Sequence, residues 1–326
     1  MTIRCLGRRL AAVAIAACAF VAPVRAQDYP SRTIKMVIAF PPGGPTDFVG
    51  RLLADKLKDL LGQSVIIENK PGAAGAIGAE MVVRAAPDGY TLFLTTSGAV
   101  AITPNLHADT HYDPVRDFAP ISQVVSVTTT LVVRPDLGAN SAKDLVAMAQ
   151  AKPATVPFAS TGVGSPPHLA LELLQSAADA KFVHVPYRGA APAITDLLGG
   201  QVTAMFADAP VLLPHIQAGK LKAIGAASGV RNLLLSDVPT LREQGYADTV
   251  ADNWYALLAP AKTPPTIVAK LNHAVRAALT DPALRDKLIN SGAIPSPTSP
   301  EELGKFLKEE LDRWGKVIRE KGIKEN

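Results

Sequence analysis

TIKMVIAFPPGGPTDFVGRLLADKLKDLL, residues 33–61, holds the unit that decides the fold. TIKMVIAF is a short apolar run that stops at a Pro-Gly cluster, which predicts a buried strand. Over residues 47–61, Phe48, Leu52, Leu53, Leu57 and Leu60, with the stem of Lys56, recur at helical spacing. Working outward, SVIIEN predicts a second strand, residues 75–86 a second helix and TLFLTT a third strand. A βαβαβ order of this kind calls for a parallel, doubly wound sheet with helices on both faces.

The pattern restarts in mid-chain. LVVRPD is strand-like, residues 141–151 are helical with Ser141 as N-cap, and TVPFAS is the next strand. A helix at 166–177, strand KFVHVPY, a helix at 190–198 and strands QVTAMFAD and LKAIGAAS continue it. NWYALLAP then returns to the first unit, and three helices follow, the last an amphipathic one at 301–320. Crossings near 124–130 and 251–255 divide the chain into a discontinuous domain, 27–127 with 253–326, and a second domain, 128–252. Open α/β sheets bind ligands at the C-terminal ends of their strands, so two such units make a hinged clamp around a cleft. Trp254 and Tyr255, beside a crossing, are expected to pack in the core or hinge.

Two segments repeat one device at the ends of strands. PPGGPTD follows the first strand, with Phe40 before it; Gly43 and Gly44 let the backbone approach a ligand, and Thr46 or Asp47 caps the helix. ASTGVGSPPH does the same in the second unit, with Ser160, Thr161 and Ser165 as hydroxyl donors and Gly164 for close approach. Helix N-termini attract anions without needing a side-chain cation, so two facing cradles suit a carboxylate. His168 either reaches the ligand or packs. Ser97, ending the third strand, is a candidate cleft hydroxyl. Asp208 ends QVTAMFAD and either accepts a ligand donor or caps the helix that follows.

Other signals are weaker. KPGAAGAIGAE resembles a dinucleotide fingerprint, but the next strand ends TLFLTTSG without the acid that would hold a ribose. Close helix–strand packing explains these glycines better, and no cofactor is expected. His107 and His111 stand four apart beside Pro104 and Asn105, a loop context that does not favour metal. Ser165 and His168 lack the G-x-S-x-G elbow of a hydrolase. A secreted hydrolase or oxidoreductase is therefore the weaker alternative to a binding protein.

The N-terminus reads as an export signal over residues 1–26. Arg4, Arg8 and Arg9 precede an apolar run at 10–22, and Val24-Arg25-Ala26 forms a small-x-small end. Cleavage is expected after Ala26, giving a soluble protein outside the cytoplasm. Ile15-Ala16-Ala17-Cys18 offers the rival of lipid anchoring at Cys18, with a shorter apolar core. The signal takes with it four of the 33 basic residues, none of the 29 acidic ones, and both cysteines. The remainder is charge-balanced and thiol-free, which removes the electrostatic motive for binding nucleic acid or an anionic membrane.

Seven stretches carry a resemblance: YPSRTIKMVIAFPPGGPTD, ENKPGAAGAIGAEMVVRAAPDGYTL, GVGSPPHLALELL, FVHVPYRGAAPAITDLLGGQVTAMF, LPHIQAGKLKAI, DVPTLREQGY and NWYALLAPAKTP. Together they resemble the extracytoplasmic solute receptors of the tripartite tricarboxylate transporter family, the Bug receptors. The resemblance implies an α/β, two-domain periplasmic binding protein of type II, Venus-flytrap form. It also implies a small carboxylate held between the domains by backbone groups and bridging waters of the two glycine loops. An integral-membrane permease is the implied partner, with a ligand sensor as an alternative output, and the receptor is expected to act as a monomer.

Overall fold

Ile34, Met36, Val37 and Ile38 are buried to the last atom because β1 (Ile34–Ile38) runs in the interior of a six-stranded sheet. The computed structural model describes residues 29–107 and 109–324, so the candidate export signal and Cys18 lie outside the described residues. β1 pairs in parallel with β2 (Val65–Asn69) on one side and β3 (Thr91–Thr96) on the other. The connections are α1 (Pro45–Leu61) and α2 (Ala76–Val83), which is the βαβαβ unit expected. On α1 the inward stripe is Val49, Leu53 and Leu57; Phe48 and Leu60 stay exposed, at 42% and 44%. The helix has apolar residues on two faces, and only one faces the sheet. In the KPGAAGAIGAE segment, a Cβ on Gly78 would sit 3.0 Å from the Cα of Ala39, so α2 approaches β1 closely only with glycine there.

The rest of this sheet runs the other way. β10 (Asn253–Pro260) pairs antiparallel with β3 and with β4 (Phe118–Val127), and the short β11 (Ala293–Pro295) closes the edge. The sheet is therefore mixed rather than parallel throughout. β4 is hard to see in sequence because Pro120, Ser122, Gln123 and Ser126 interrupt its apolar pattern. Those polar groups are satisfied laterally: Thr298 N donates to Ser122 Oγ and Gln123 N donates to Thr298 Oγ1.

The second sheet has five strands in the order β7 (Val183–Pro186), β6 (Pro157–Ser160), β8 (Ala204–Asp208), β5 (Thr129–Val133) and β9 (Lys222–Ala226). β6 is parallel to β7 and β8, while β5 is antiparallel to β8 and β9. α3 (Ala142–Ala151) starts at Ser141 in a full capping box with Asp144. α4 (Pro166–Ala178), α5 (Ala190–Leu198) and α6 (Ala209–Gln217) follow β6, β7 and β8.

The chain passes between the sheets twice. Thr128 alone separates β4 from β5, and the return enters β10 at Asn253. Thr129 Oγ1 donates to the carbonyl of Ala251 at 2.8 Å, which holds the two passages side by side. The C-terminal helices α7 (Pro265–Thr280), α8 (Pro282–Asn290) and α9 (Pro300–Lys321) pack on the first sheet. Trp254 belongs to this packing, as expected. Its indole N–H donates to the buried carboxylate of Glu310 on α9, which also receives Arg313. Glu310→Ala leaves that indole N–H without a partner, a loss of about 1–3 kcal/mol. Urea unfolding should register it as a lower midpoint with an unchanged slope.

Candidate ligand-binding cleft

PPGG forms a turn whose shape is held from beneath by Asp47. Its carboxylate accepts from the Gly43 amide at 3.0 Å, from Asn69 Nδ2 at 3.0 Å and from both arms of Arg51. Burial pushes the Asp47 carboxyl up, and the bonds from Arg51, Gly43 and Asn69 outweigh it, leaving the group below the usual carboxylate range. Asn69 also donates to the Phe40 carbonyl, fixing the exit of β1. The chain thereby enters α1 with Gly44 as N-cap and Pro45 in the first turn.

Gly44 faces a cavity between the two sheets, with about 590 Å³ of empty space that includes open solvent. Phe40, Pro41, Pro42, Thr46 and Thr96 line it from the first lobe; Thr161, Ser165, Arg188, Gly189 and Asp208 line it from the second. Four helices start on its wall, with Gly44, Ser165, Gly189 and Asp208 as their N-caps. A helix start bears partial positive charge where its first N–H groups are left free, so the cavity favours an anion at those starts that keep free amides. Arg188 lines the mouth, exposed and without an ion pair or hydrogen bond among the described residues.

The donors are not arranged as the two glycine loops alone suggest. In α4, Pro166 and Pro167 carry no N–H, and the His168 amide donates to Ser165 Oγ at 3.3 Å. That helix start thus has no spare backbone donor in its first three positions. The missing half of the cradle is α5, whose Ala190 and Ala191 amides have no intrahelical acceptor and line the cavity, as Thr46 does for α1. The signal was present in YRGAAPAI, a third strand–glycine–helix turn with Arg188 beside it.

Phe40, Gly44, Thr46, Thr161, Ser165 and Asp208 are brought together on the cavity wall. Gly43, Ser97, Ser160, Gly164 and His168 are not, each for a local reason. Gly43 is engaged with Asp47 and its Cα faces open space. Ser97 donates to Asn253 Oδ1 at 2.9 Å beneath the floor. Ser160 turns away from the cleft toward His184 Nε2, 2.6 Å distant. Gly164 meets the first lobe directly: a Cβ there would lie 3.2 Å from Ala74 Cβ and 3.3 Å from Thr103 Oγ1. His168 packs under the loop, accepting from the Gly164 amide and stacking on His184 at 4.4 Å between ring centroids.

The floor is a hydrogen-bonded line joining the lobes. Asn253 Nδ2 donates to Asp208 Oδ2 at 2.9 Å, and Tyr255 Oη donates to the same oxygen at 2.6 Å. Tyr255 is hydrogen-bonded in turn to Thr46. Burial drives the Asp208 carboxyl up to about 6, against the pull of Tyr255 and Asn253. Ser165 Oγ is occupied by Gly162 O and the His168 amide, so no hydroxyl–imidazole pair forms there.

Two sheets crossed twice by the chain, with helix starts ringing the cleft between them, have the form of a two-lobed solute-binding protein. The model of the tripartite tricarboxylate transporter family receptor matches residues 49–323, and the chain belongs to that family. It is 40% identical to Protein BugT of Bordetella pertussis over 311 residues, 95% of either chain. Among solved structures it resembles the periplasmic binding protein BugD, with 35% identity, a TM-score of 0.86, and coverage of 91% of this chain and 100% of that one. It also resembles MatC from Rhodopseudomonas palustris with bound malate, with 33% identity, a TM-score of 0.84, and coverage of 89% and 100%.

Proposed function

We propose that this protein is a periplasmic receptor that captures a small carboxylate between its lobes and delivers it to an integral-membrane permease of the tripartite tricarboxylate type. The observation that carries this reading is the convergence of four helix N-termini on one cavity, of which α1 and α5 keep free amides, with Arg188 at its mouth. The likeness to MatC with bound malate supports a carboxylate as the ligand class. The domains 27–127 with 253–326, and 128–252, hinge about Thr128 and Asn253. Ligand contacts spanning both lobes favour the closed arrangement over an open one, which is the condition for capture by closure.

The test is calorimetry over mono-, di- and tricarboxylates, paired with small-angle scattering. An acid of this range binds, and its binding lowers the radius of gyration. Arg188→Ala weakens that acid about five- to tenfold, because a charge-assisted contact at an exposed mouth is partly screened. If every acid fails to bind, the function is wrong; if one binds with no change in dimensions, closure is. Ahead of this fold we place a signal cleaved after Ala26, leaving a free mature protein rather than one lipidated at Cys18. Mass spectrometry of exported protein beginning at Gln27 would bear this out, and an acylated Cys18 would refute it.

A further inference from the structure

Asp208 is held in an unusual way. It is 5% exposed, yet only one of its carboxylate oxygens is used. Oδ2 takes both donors, Asn253 Nδ2 and Tyr255 Oη, while Oδ1 has no partner among the described residues. The bland explanation, that Asp208 caps α6, does not hold. It occupies the N-cap position, but its side chain accepts no bond from that helix: the Ala209 amide goes to Thr128 O, and Pro210 has no N–H. Nor is the carboxylate's orientation loose. Ser97 Oγ and the Trp254 amide both donate to Asn253 Oδ1, which fixes the Asn253 amide with its NH₂ toward Asp208.

A second orphan shares the wall. Thr96 Oγ1 is buried without a partner, and Thr96 lines the same cavity as Asp208. Among the described residues no basic side chain is hydrogen-bonded or ion-paired to Asp208, and the charged group that shifts its carboxyl is another acid, Asp252. A buried acceptor left unmade is costly, and costlier when charged. The cleft therefore has an anion-favouring rim of helix starts and, buried in its wall at Asp208, a fixed acceptor that would repel a plain carboxylate.

We infer that the ligand is a carboxylate bearing its own hydrogen-bond donor, an amino or hydroxy acid rather than a plain acid, and that Asp208 Oδ1 receives that donor. This rests on the carboxylate reading above and names the subclass. Thr96 Oγ1, on the wall of the same cavity, is a second polar group that can accept or donate. Ser97 and Asn253 are positioning residues that act through Asp208.

Calorimetry on matched sets tests it with the intact mature protein: succinate, malate and aspartate; glutarate, 2-hydroxyglutarate and glutamate; adipate, 2-hydroxyadipate and 2-aminoadipate; propionate, lactate and alanine. In at least one set a donor-bearing acid binds about 10-fold or more tighter than its plain counterpart. The hydroxy and amino arms show which donor is used. Asp208→Asn keeps an oxygen for Asn253 and Tyr255 but turns an NH₂ to the cleft, so the preference falls to within about threefold or reverses. If in every set the plain acid binds as tightly as the best donor-bearing acid, the inference is overturned while the carboxylate reading stays intact. A preference that survives in Asp208→Asn overturns it too. If no acid in any set binds, both readings fall. The wild-type comparison needs no variant, so poor folding of Asp208→Asn would not rescue the inference.

Discussion

Gly98→Leu is expected to weaken binding of the captured acid about 10- to 100-fold while leaving the melting temperature within a few degrees of wild type. Gly98 opens the π-helical turn Gly98–Ile102 after β3, on the first lobe. A Cβ placed there would lie 3.3 Å from the Gly164 carbonyl oxygen and 3.5 Å from Pro166 Cδ, both on the second lobe, and 3.3 Å from Thr96 Oγ1 on its own lobe. One carbon fits with a small adjustment; the branched end of leucine does not. Its backbone lies outside the left-handed region, so a side chain itself causes no strain. The contacts with Gly164 and Pro166 are relieved by parting the lobes, and the one with Thr96 by a turn of its side chain. Overpacking costs of roughly 1–3 kcal/mol fall here on the closed state alone, and apparent affinity scales with the fraction of protein able to close. A loss of about 2.8 kcal/mol is 100-fold. Calorimetry gives the affinity. Scattering should show that saturating acid no longer shrinks the variant. Wild-type affinity in Gly98→Leu would mean that the lobes need not meet at Gly98 and Gly164 for capture.

How far the sequence announces this site depends on how local each contact is. TIKMVIAF and NWYALLAP were legible as strands because burial on both faces leaves continuous apolar runs. The β10 reading matches the strand residue for residue, Asn253–Pro260. Phe40, Gly44, Thr46, Thr161 and Ser165 were legible because a strand–glycine–helix turn is a local event that places its own residues at a strand's C-terminal end. Ser97, Ser160 and His168 were not, since residue type does not say which way a hydroxyl or imidazole turns. Ser160 pairs with His184 across β6 and β7, and Ser97 with Asn253, 156 positions away. Asn253 is the clearest loss. In sequence it merely begins a strand, whereas in space it orients Asp208, 45 positions earlier. Arg188 and Gly189 carried a readable signal, but the two double-glycine loops drew attention from it.

The stacked pair His168 and His184 predicts that acid strips stability from the second lobe. Burial lowers His168 to about 3, with His184 as a further cause, and burial lowers His184 to about 4. Both rings are neutral at pH 7, so the 3.7 Å approach of His168 Nε2 to Glu172 is not an ion pair there. The unfolded chain protonates both near pH 6.5, whereas the folded one does not. The stability these rings contribute is whole above pH 6.5 and drains as pH falls toward 4 and then 3. At pH 5 the loss is about 2 kcal/mol from each ring. Asp208 acts in the opposite sense: its carboxyl, raised to about 6, favours the folded state on acidification and returns about 1 kcal/mol by pH 5. The wild type should therefore lose roughly 3 kcal/mol between pH 7.5 and 5 from these three groups. His168→Asn keeps an acceptor for the Gly164 amide, and His184→Gln keeps a polar atom facing Ser160, while neither can take up a proton. Urea unfolding at both pH values reads the contrast: the double variant should lose about 4 kcal/mol less than wild type over that range. Equal acid sensitivity in the two proteins would show that the pair already carries its protons in the folded state. Because these rings support the loop bearing Thr161 and Ser165, acid should also loosen the cleft wall before it unfolds the first lobe. Hydrogen exchange at pH 5 would then rise first across residues 160–168.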